Sequence, residues 1–335
     1  MTPQVQTVTG PIDPTELGVT LMHEHVLVLS VGLRAAYPET FPREEIVRSC
    51  VDQLTALRKL GVRTLVDHSP YDLGRDPELL AEVSEASGVQ IVCCTGVWVA
   101  PQRYFHLRDP AKAAELFVGD LHHGISDTGI RAGIIKCATE VEGLTEPVER
   151  VLRACAMAHR QTGAPISTHT HAASHTGDVQ QQIFAEEGVD LSRVIIGHCG
   201  DSADQDYLRR LLGRGSYLGM DRFGADVVVD DDQRMDIVAD LCAEGYAERL
   251  LLSHDANCWN DRSSRAQLSR SRPNWHHRYI LEHVVPGLRA RGVNREQIDT
   301  MLVANPRRIF SAATPYAGAA REHDGPRRTI PIAGG

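Results

Sequence analysis

Gly133-Ile134-Ile135-Lys136-Cys137-Ala138-Thr139-Glu140 is a short apolar run that ends in charge. Its length and paired isoleucines read as a buried strand of a parallel sheet, whose two faces are both covered. Lys136 lies near the C-terminal end of that strand, where a solvated ammonium is expensive. Burial disfavours the charged form, so a lysine so placed tends toward a neutral, nucleophilic amine. The plainer reading is a side chain that reaches to the strand end or pairs with Glu140. The rest of the chain decides between the two.

Working outward, the pattern of a short apolar run followed by a helical stripe recurs. Strands are expected at Val19–Met22, Thr64–Asp67, Gln90–Thr95, Pro165–Thr168, Val194–Ile196, Tyr217–Met220 and Leu250–Leu252 as well as here. Helices fall between them; the first opens on Pro42 and acids, carries Ile46, Cys50, Leu54 and Leu57 at helical spacing, and closes at Gly61. Eight such alternations with no linker predict an α/β fold of the (β/α)8 TIM-barrel type in a single domain. A doubly wound open sheet is the competing arrangement. Residues 1–18 should form a short N-terminal hairpin or cap, 19–310 the barrel, and 311–335 a poorly ordered tail rich in Ala, Gly, Pro and charge.

The chain has 335 residues, 42% hydrophobic, and a net charge of −9. An acidic balance argues against nucleic acid or an anionic membrane as partner, and no apolar run is long enough to span a bilayer. The N-terminus lacks a secretory pattern. Eight scattered cysteines without CxxC spacing look like reduced thiols, so a cytoplasmic protein is expected. A homodimer is the expected assembly.

In a barrel, the C-terminal ends of the strands share one mouth. The polar residues at those ends are His23, His25, Lys136, His169, His198, Arg222 and Asp255. His171 shares the strand face of His169 by the two-residue rule and is its rival. Imidazole with a carboxylate suits Zn, Co, Mn or Fe. Four histidines and an aspartate are one ligand set too many for a single tetrahedral ion, and suit two ions that share a bridge. Lys136 can be that bridge if its neutral amine captures carbon dioxide, because a charged lysine cannot ligate metal. A non-catalytic metal-binding barrel and a mononuclear deaminase-like site are the other readings; the complete ligand set opposes the first and Lys136 the second.

Taken together, His23-Glu24-His25, Gly133–Lys136, Thr168-His169-Thr170, Ile196-Gly197-His198, Gly219-Met220-Asp221-Arg222, Ser253-His254-Asp255 and Asn305-Pro306-Arg307-Arg308-Ile309-Phe310 resemble the phosphotriesterase family of the amidohydrolase superfamily. The resemblance runs in order along nearly the whole chain. It implies a (β/α)8 barrel with a binuclear centre of two divalent ions, zinc first among the choices. His23, His25 and Asp255 would hold the buried ion and His169 and His198 the exposed one, with carboxylated Lys136 and a hydroxide as bridges. It also selects His169 over His171. Within the family, Arg222 and Phe223 resemble the pattern of phosphotriesterase-like lactonases, which open lactones such as N-acyl-homoserine lactones. Those enzymes place a tyrosine after the third strand, where this chain carries Trp98. Asp255 would accept the proton of the attacking water and Arg222 would orient the substrate or assist the leaving oxygen. Trp98, Arg222, Phe223 and Cys258 are the expected substrate-binding residues. The polar loop Ala256–Trp275 is expected to form a lid or tunnel, apolar if it receives an acyl chain. A true phosphotriesterase or a hydrolase of another ester is the alternative. His68 could reach the mouth; His122, His123, His276 and His277 read as solvated.

Overall fold

A two-stranded hairpin, β1 (Val5–Thr7) and β2 (Gly10–Ile12), precedes the main sheet. The computed structural model describes residues 4–263, 265–312 and 314–316. The sheet itself comprises β3 (Val19–Val28), β4 (Val62–Asp67), β5 (Gln90–Gly96), β6 (Ile134–Thr139), β7 (Ile166–Thr170), β8 (Val194–Ile196), β9 (Tyr217–Met220), β10 (Leu250–Leu252) and β11 (Asn257–Asn260). Neighbours along it are parallel and follow chain order from β3 to β10, and β11 pairs with β3. The last stave is therefore split: β10 lies on β9, and four residues later β11 lies on β3, which draws the curled sheet into a barrel. Asp255 N donates to His23 O at 3.0 Å and His25 N to Ala256 O at 2.8 Å, stitching the seam between the two pieces.

The helices pack outside. Helix α1 (Arg43–Lys59) buries Ile46, Cys50, Leu54 and Leu57, the stripe read from the sequence. Asp-Pro steps start α2 (Pro77–Ser87) and α3 (Pro110–His122): Asp76 and Asp109 accept from the backbone N–H of Leu79 and Ala111, and proline fills the first turn. Asp204 and Asp230 cap later helices in the same way. The crossovers that carry helices put each new strand parallel beside the last.

Alternation along each strand sorts side chains into two layers. Ile91, Cys93, Ile135 and Cys137 face the helices, whereas Val92, Cys94 and Ile134 join Leu17, Met22, Tyr217, Leu251 and Phe310 inside the barrel. Lys136 has the parity of Ile134 and so points inward, 1% exposed. The interior apolar cluster plugs the lower barrel, and the polar strand ends sit above it.

The segment expected as a disordered tail departs from that reading at its start. Ser311 ends the helix Asn305–Ser311, and Tyr316 packs against His159 and under Arg193. Its remainder lies outside the described residues.

Candidate metal centre

Two consecutive inward residues, Met22 and His23, break the alternation of β3. The register against β4 slips by one residue between Leu21 and Glu24, and that irregularity turns His23 and His25 into the mouth. Glu24, between them, is fully buried and fastens the seam: it accepts from the backbone N–H of His254 and Ala256 and from His254 Nδ1 at 2.6 Å. Burial foremost pushes its carboxyl up to about 8. His254 thus faces away from the centre, its Nε2 accepting from Ile280 N at 2.9 Å. His198, Arg222 and Asp255 adopt positive φ of 58°, 65° and 55°, a strained backbone that concentrates at this one mouth.

The four histidines share a pattern of protonation. His25 Nδ1 lies 2.8 Å from Ser69 Oγ, which itself donates to Leu27 O at 2.6 Å, so the imidazole must carry its proton on Nδ1. His198 Nδ1 donates to Asp221 Oδ1 at 2.7 Å, and His169 Nε2 to Glu140 Oε1 at 2.5 Å. His23 Nδ1 sits 3.2 Å from Asp221 Oδ2 but out of line, leaving a buried nitrogen without a hydrogen bond. Each remote nitrogen is thus turned to an oxygen, and the lone pairs of His23 Nε2, His25 Nε2, His169 Nδ1 and His198 Nε2 turn inward. There they meet: His198 Nε2 is 2.7 Å from His169 Nδ1, His25 Nε2 is 3.1 Å from Asp255 Oδ1, and Lys136 Nζ is 2.9 Å from His23 Nε2.

Inward lone pairs crowded together without protons are what a cation would satisfy, and the donor set fits metal. The ligand atoms of His23, His25 and Asp255 lie within 4.8 Å of one another. Asp221 also falls that close to His23 and His198, but it occupies their back nitrogens and so orients them. Burial drives the His23 imidazole down to about 4, and His169 and His198 downward too, which keeps them neutral. Burial likewise lowers Lys136. Burial opposes ionisation of Asp255, yet His198, His25 and Arg222 hold its carboxyl well below the usual range.

Arg222 clamps that carboxylate. Its Nε donates to Asp255 Oδ2 at 3.0 Å and its Nη1 to Asp201 Oδ2 at 2.6 Å, while fully buried Arg234 holds Asp201 Oδ1 at 3.2 Å. Asp201, Asp221, Ser69 and Arg234 were not singled out from the sequence. Asp221 and Asp201 lie in or just after the strand-end motifs, which is the one local signal they carry. Glu140, weighed as a partner for Lys136, belongs to His169.

A cavity of about 410 Å³ opens above the cluster. His23, His25, Lys136, His169, His198, Arg222 and Asp255 form its floor, and Trp98 is on its wall. Phe223 and Cys258 are buried and are not among its lining residues; Arg234 stacks on the Phe223 ring instead, and the Cys258 thiol faces His277. His171 binds Ser174 away from the floor. His68 is fully buried and stacks on His23 at 4.2 Å, and His277, read as solvated, is buried under Ala256 O. The Ala256–Trp275 segment supplies β11 and the short helix Arg265–Ser271. It brings Asn257, Asn260, Arg262, Ser263, Ser271 and Arg272 to the cavity beside Leu268 and Trp275, so a channel that was to be apolar if it received an acyl chain carries polar and cationic groups on its wall. No described helix is long and apolar enough to cross a membrane.

A model of the phosphotriesterase family matches residues 3–310. A Mycobacterium tuberculosis protein named phosphotriesterase homology protein is 49% identical over 324 residues, covering 94% of this chain and 99% of its own. An aryldialkylphosphatase of Saccharolobus solfataricus is 36% identical over 304 residues, covering 90% of this chain and 97% of its own. The solved structure of the phosphotriesterase from Mycobacterium tuberculosis matches with a TM-score of 0.90 at 49% identity, over 94% of this chain and 100% of that one.

Proposed function

This chain belongs to the phosphotriesterase family, metal-dependent hydrolases acting on ester bonds, and from that premise we propose that it is a lactonase with weak activity on phosphotriesters. N-acyl-homoserine lactones are the substrate class the family resemblance offers first. His23, His25 and Asp255 would hold one ion and His169 and His198 the other. Lys136 would span them after its neutral amine takes up carbon dioxide and loses one proton, becoming a carboxylate. Two divalent ions, when bound, supply Lewis acidity toward the carbonyl oxygen and make water between them acidic near neutral pH.

The chain's own residues handle the proton. Asp255 is ionised and accepts it at Oδ2, the oxygen turned to Arg222. Arg222 cannot relay it further, because a guanidinium does not accept a proton. The proton therefore stays on Asp255 until the departing ester oxygen takes it. In a lactone that oxygen remains tethered to the acyl carbon's chain and is a strongly basic alkoxide, so it both needs the proton and is near enough to collect it. Water adds across the ring ester, and a hydroxy acid leaves. An aryl phosphate expels a weakly basic phenolate that gains little from such a donor. The Asp255–Arg222–Asp201 clamp is the observation that carries the lactonase reading.

The second reading is a true phosphotriesterase, favoured by the relative named aryldialkylphosphatase. One metal-replete preparation, assayed side by side, separates the two. The expected result is a higher kcat/KM for acyl-homoserine lactones than for an aryl dialkyl phosphate. A phosphotriester cleaved faster than every lactone tried overturns the assignment.

A further inference from the structure

The exposed end of the cavity is built differently from its floor. Arg262 lies over the Trp98 ring at 5.2 Å and Arg272 over the Trp275 ring at 5.1 Å, and all four residues line the cavity. Stacking fixes the plane of a guanidinium and leaves its edge donors free for an anion. Among the described residues neither arginine forms an ion pair, although the chain carries 44 acidic against 35 basic residues. Surface arginines elsewhere do find carboxylates, as Arg209 does with Glu244 and Arg291 with Asp232 and Asp236. Asp255 is the only carboxylate among the lining residues, and Arg222 already neutralises it at the floor. The Trp98 platform is itself anchored: its backbone N–H donates to both oxygens of Asp72 at 3.0 Å. An acidic protein thus presents, among its described residues, two pre-oriented cations without a carboxylate partner at the entrance to its reaction centre.

We propose that Arg262 and Arg272 are specificity residues that receive an anionic group, a carboxylate or a phosphate or sulfonate of like charge, on the arm of the substrate distal to the scissile ester. This rests on the ester-hydrolase reading and deepens it, ranking lactones with an anionic arm above neutral acyl lactones. Two planar forks on aromatic supports bind such oxyanions through paired hydrogen bonds. Fields from unpaired cations at a cleft also raise the encounter rate of anionic substrates in a salt-dependent way.

Matched pairs test it: a δ-lactone whose side arm ends in a carboxylate against its methyl amide, and 4-(carboxymethyl)phenyl acetate against its methyl amide. The expected ratio of kcat/KM, anionic over neutral, is about tenfold or more at low salt and shrinks as salt rises. It should collapse toward one in Arg262→Gln/Arg272→Gln and recover in part in Arg262→Lys/Arg272→Lys, with both variants checked for full metal content and a native melting curve. Trp98, Trp259 and Trp275 are the chain's three tryptophans, so a fluorescence titration with glutarate gives a reading free of turnover. Its affinity should fall at least fivefold in the glutamine variant; an equal affinity would mean that the anion binds at the metal floor and overturns the proposal. A ratio at or below one in the unmodified enzyme, or one that survives in the glutamine variant, overturns it as well. Should no lactone be cleaved while the aryl acetate pair still shows the preference, the lactonase reading fails and this one stands.

Discussion

Lys136 Nζ rests 2.9 Å from His23 Nε2 and is almost fully buried, a setting that strips the ammonium of most of its hydration and gives it, among the described residues, no ion-pair partner. In the proposed centre that amine becomes a carboxylate shared between two cations. Lys136→Ala should therefore lower metal content from about two ions per chain and abolish turnover together; two ions with near-normal kcat/KM in that variant would refute the bridging role. Arg222 makes a different case, since it reaches Asp255 and Asp201 through separate nitrogens of one planar fork. A lysine has a single point of contact and cannot span both. Arg222→Lys should retain both metals yet lose about a hundredfold in kcat/KM on lactones, as measured by elemental analysis alongside steady-state kinetics. At this scale the residues that meet at the cavity floor were legible from residue type and position at strand ends. Their oxygen partners were not, because Ser69, Glu140 and Asp221 are common residues whose role appears only as a short distance to a ring nitrogen.

Between elements, the tightest constraint on the centre is the approach of β5 to β6. Gly96 pairs with Lys136, has φ of +112°, and would place a Cβ 1.9 Å from the Lys136 carbonyl oxygen. Gly96→Ala must then open the ladder that delivers the lysine, and a loss of about 3 kcal/mol or more in a denaturant titration is expected, with weakened metal retention. A second element-level device lies far from the mouth. His159, in the helix Glu146–Thr162, donates from Nδ1 to Ala164 O at 2.7 Å and accepts the Tyr316 hydroxyl at Nε2, while Tyr316 in turn accepts from Asp190 N. Burial foremost holds the imidazole down to about 4, against 6.5 when unfolded. A depressed folded value means that the stabilisation is present in full above pH 6.5 and is lost as pH falls toward 4. The unfolded chain gains the proton first, and the difference is on the order of 3 kcal/mol. The melting temperature should accordingly decline across that window, less steeply in His159→Gln; equal slopes would rule this source out. Element positions were readable because helical and strand periods are local, and Val194–Ile196, Tyr217–Met220 and Leu250–Leu252 match to the residue. β3 runs six residues past its expected end because its polar His-Glu-His stretch is held by the seam rather than by hydrophobicity.

For the whole molecule, large apolar side chains stand exposed in segments that follow barrel strands: Val31 after β3, Leu107 at the end of the short helix after β5, Val141 after β6 and Val228 after β9, with Leu107 77% exposed. They lie in segments that leave the C-terminal ends of the strands, the face that carries the mouth, and a second copy packed on that face would cover them. Sedimentation should give twice the chain mass of 36.8 kDa, and Leu107→Glu should shift the particle toward one chain; an unmodified protein that sediments as a monomer at micromolar concentration contradicts the dimer. Composition and periods of 2 and 3.6 residues carry the alternation that makes a barrel and the order of the polar strand-end residues that meet at the floor. Three features came from contacts between distant segments. The slip between Leu21 and Glu24 turned His23 inward against the parity of its strand. The meeting of His25 with Asp255 joined groups 230 residues apart, so that the tautomers and charges at the floor became defined. The path of the Ala256–Trp275 segment set arginines over tryptophans at the entrance of the cavity. A bulge, a seam and a rim are relations between distant segments, and no local period records them.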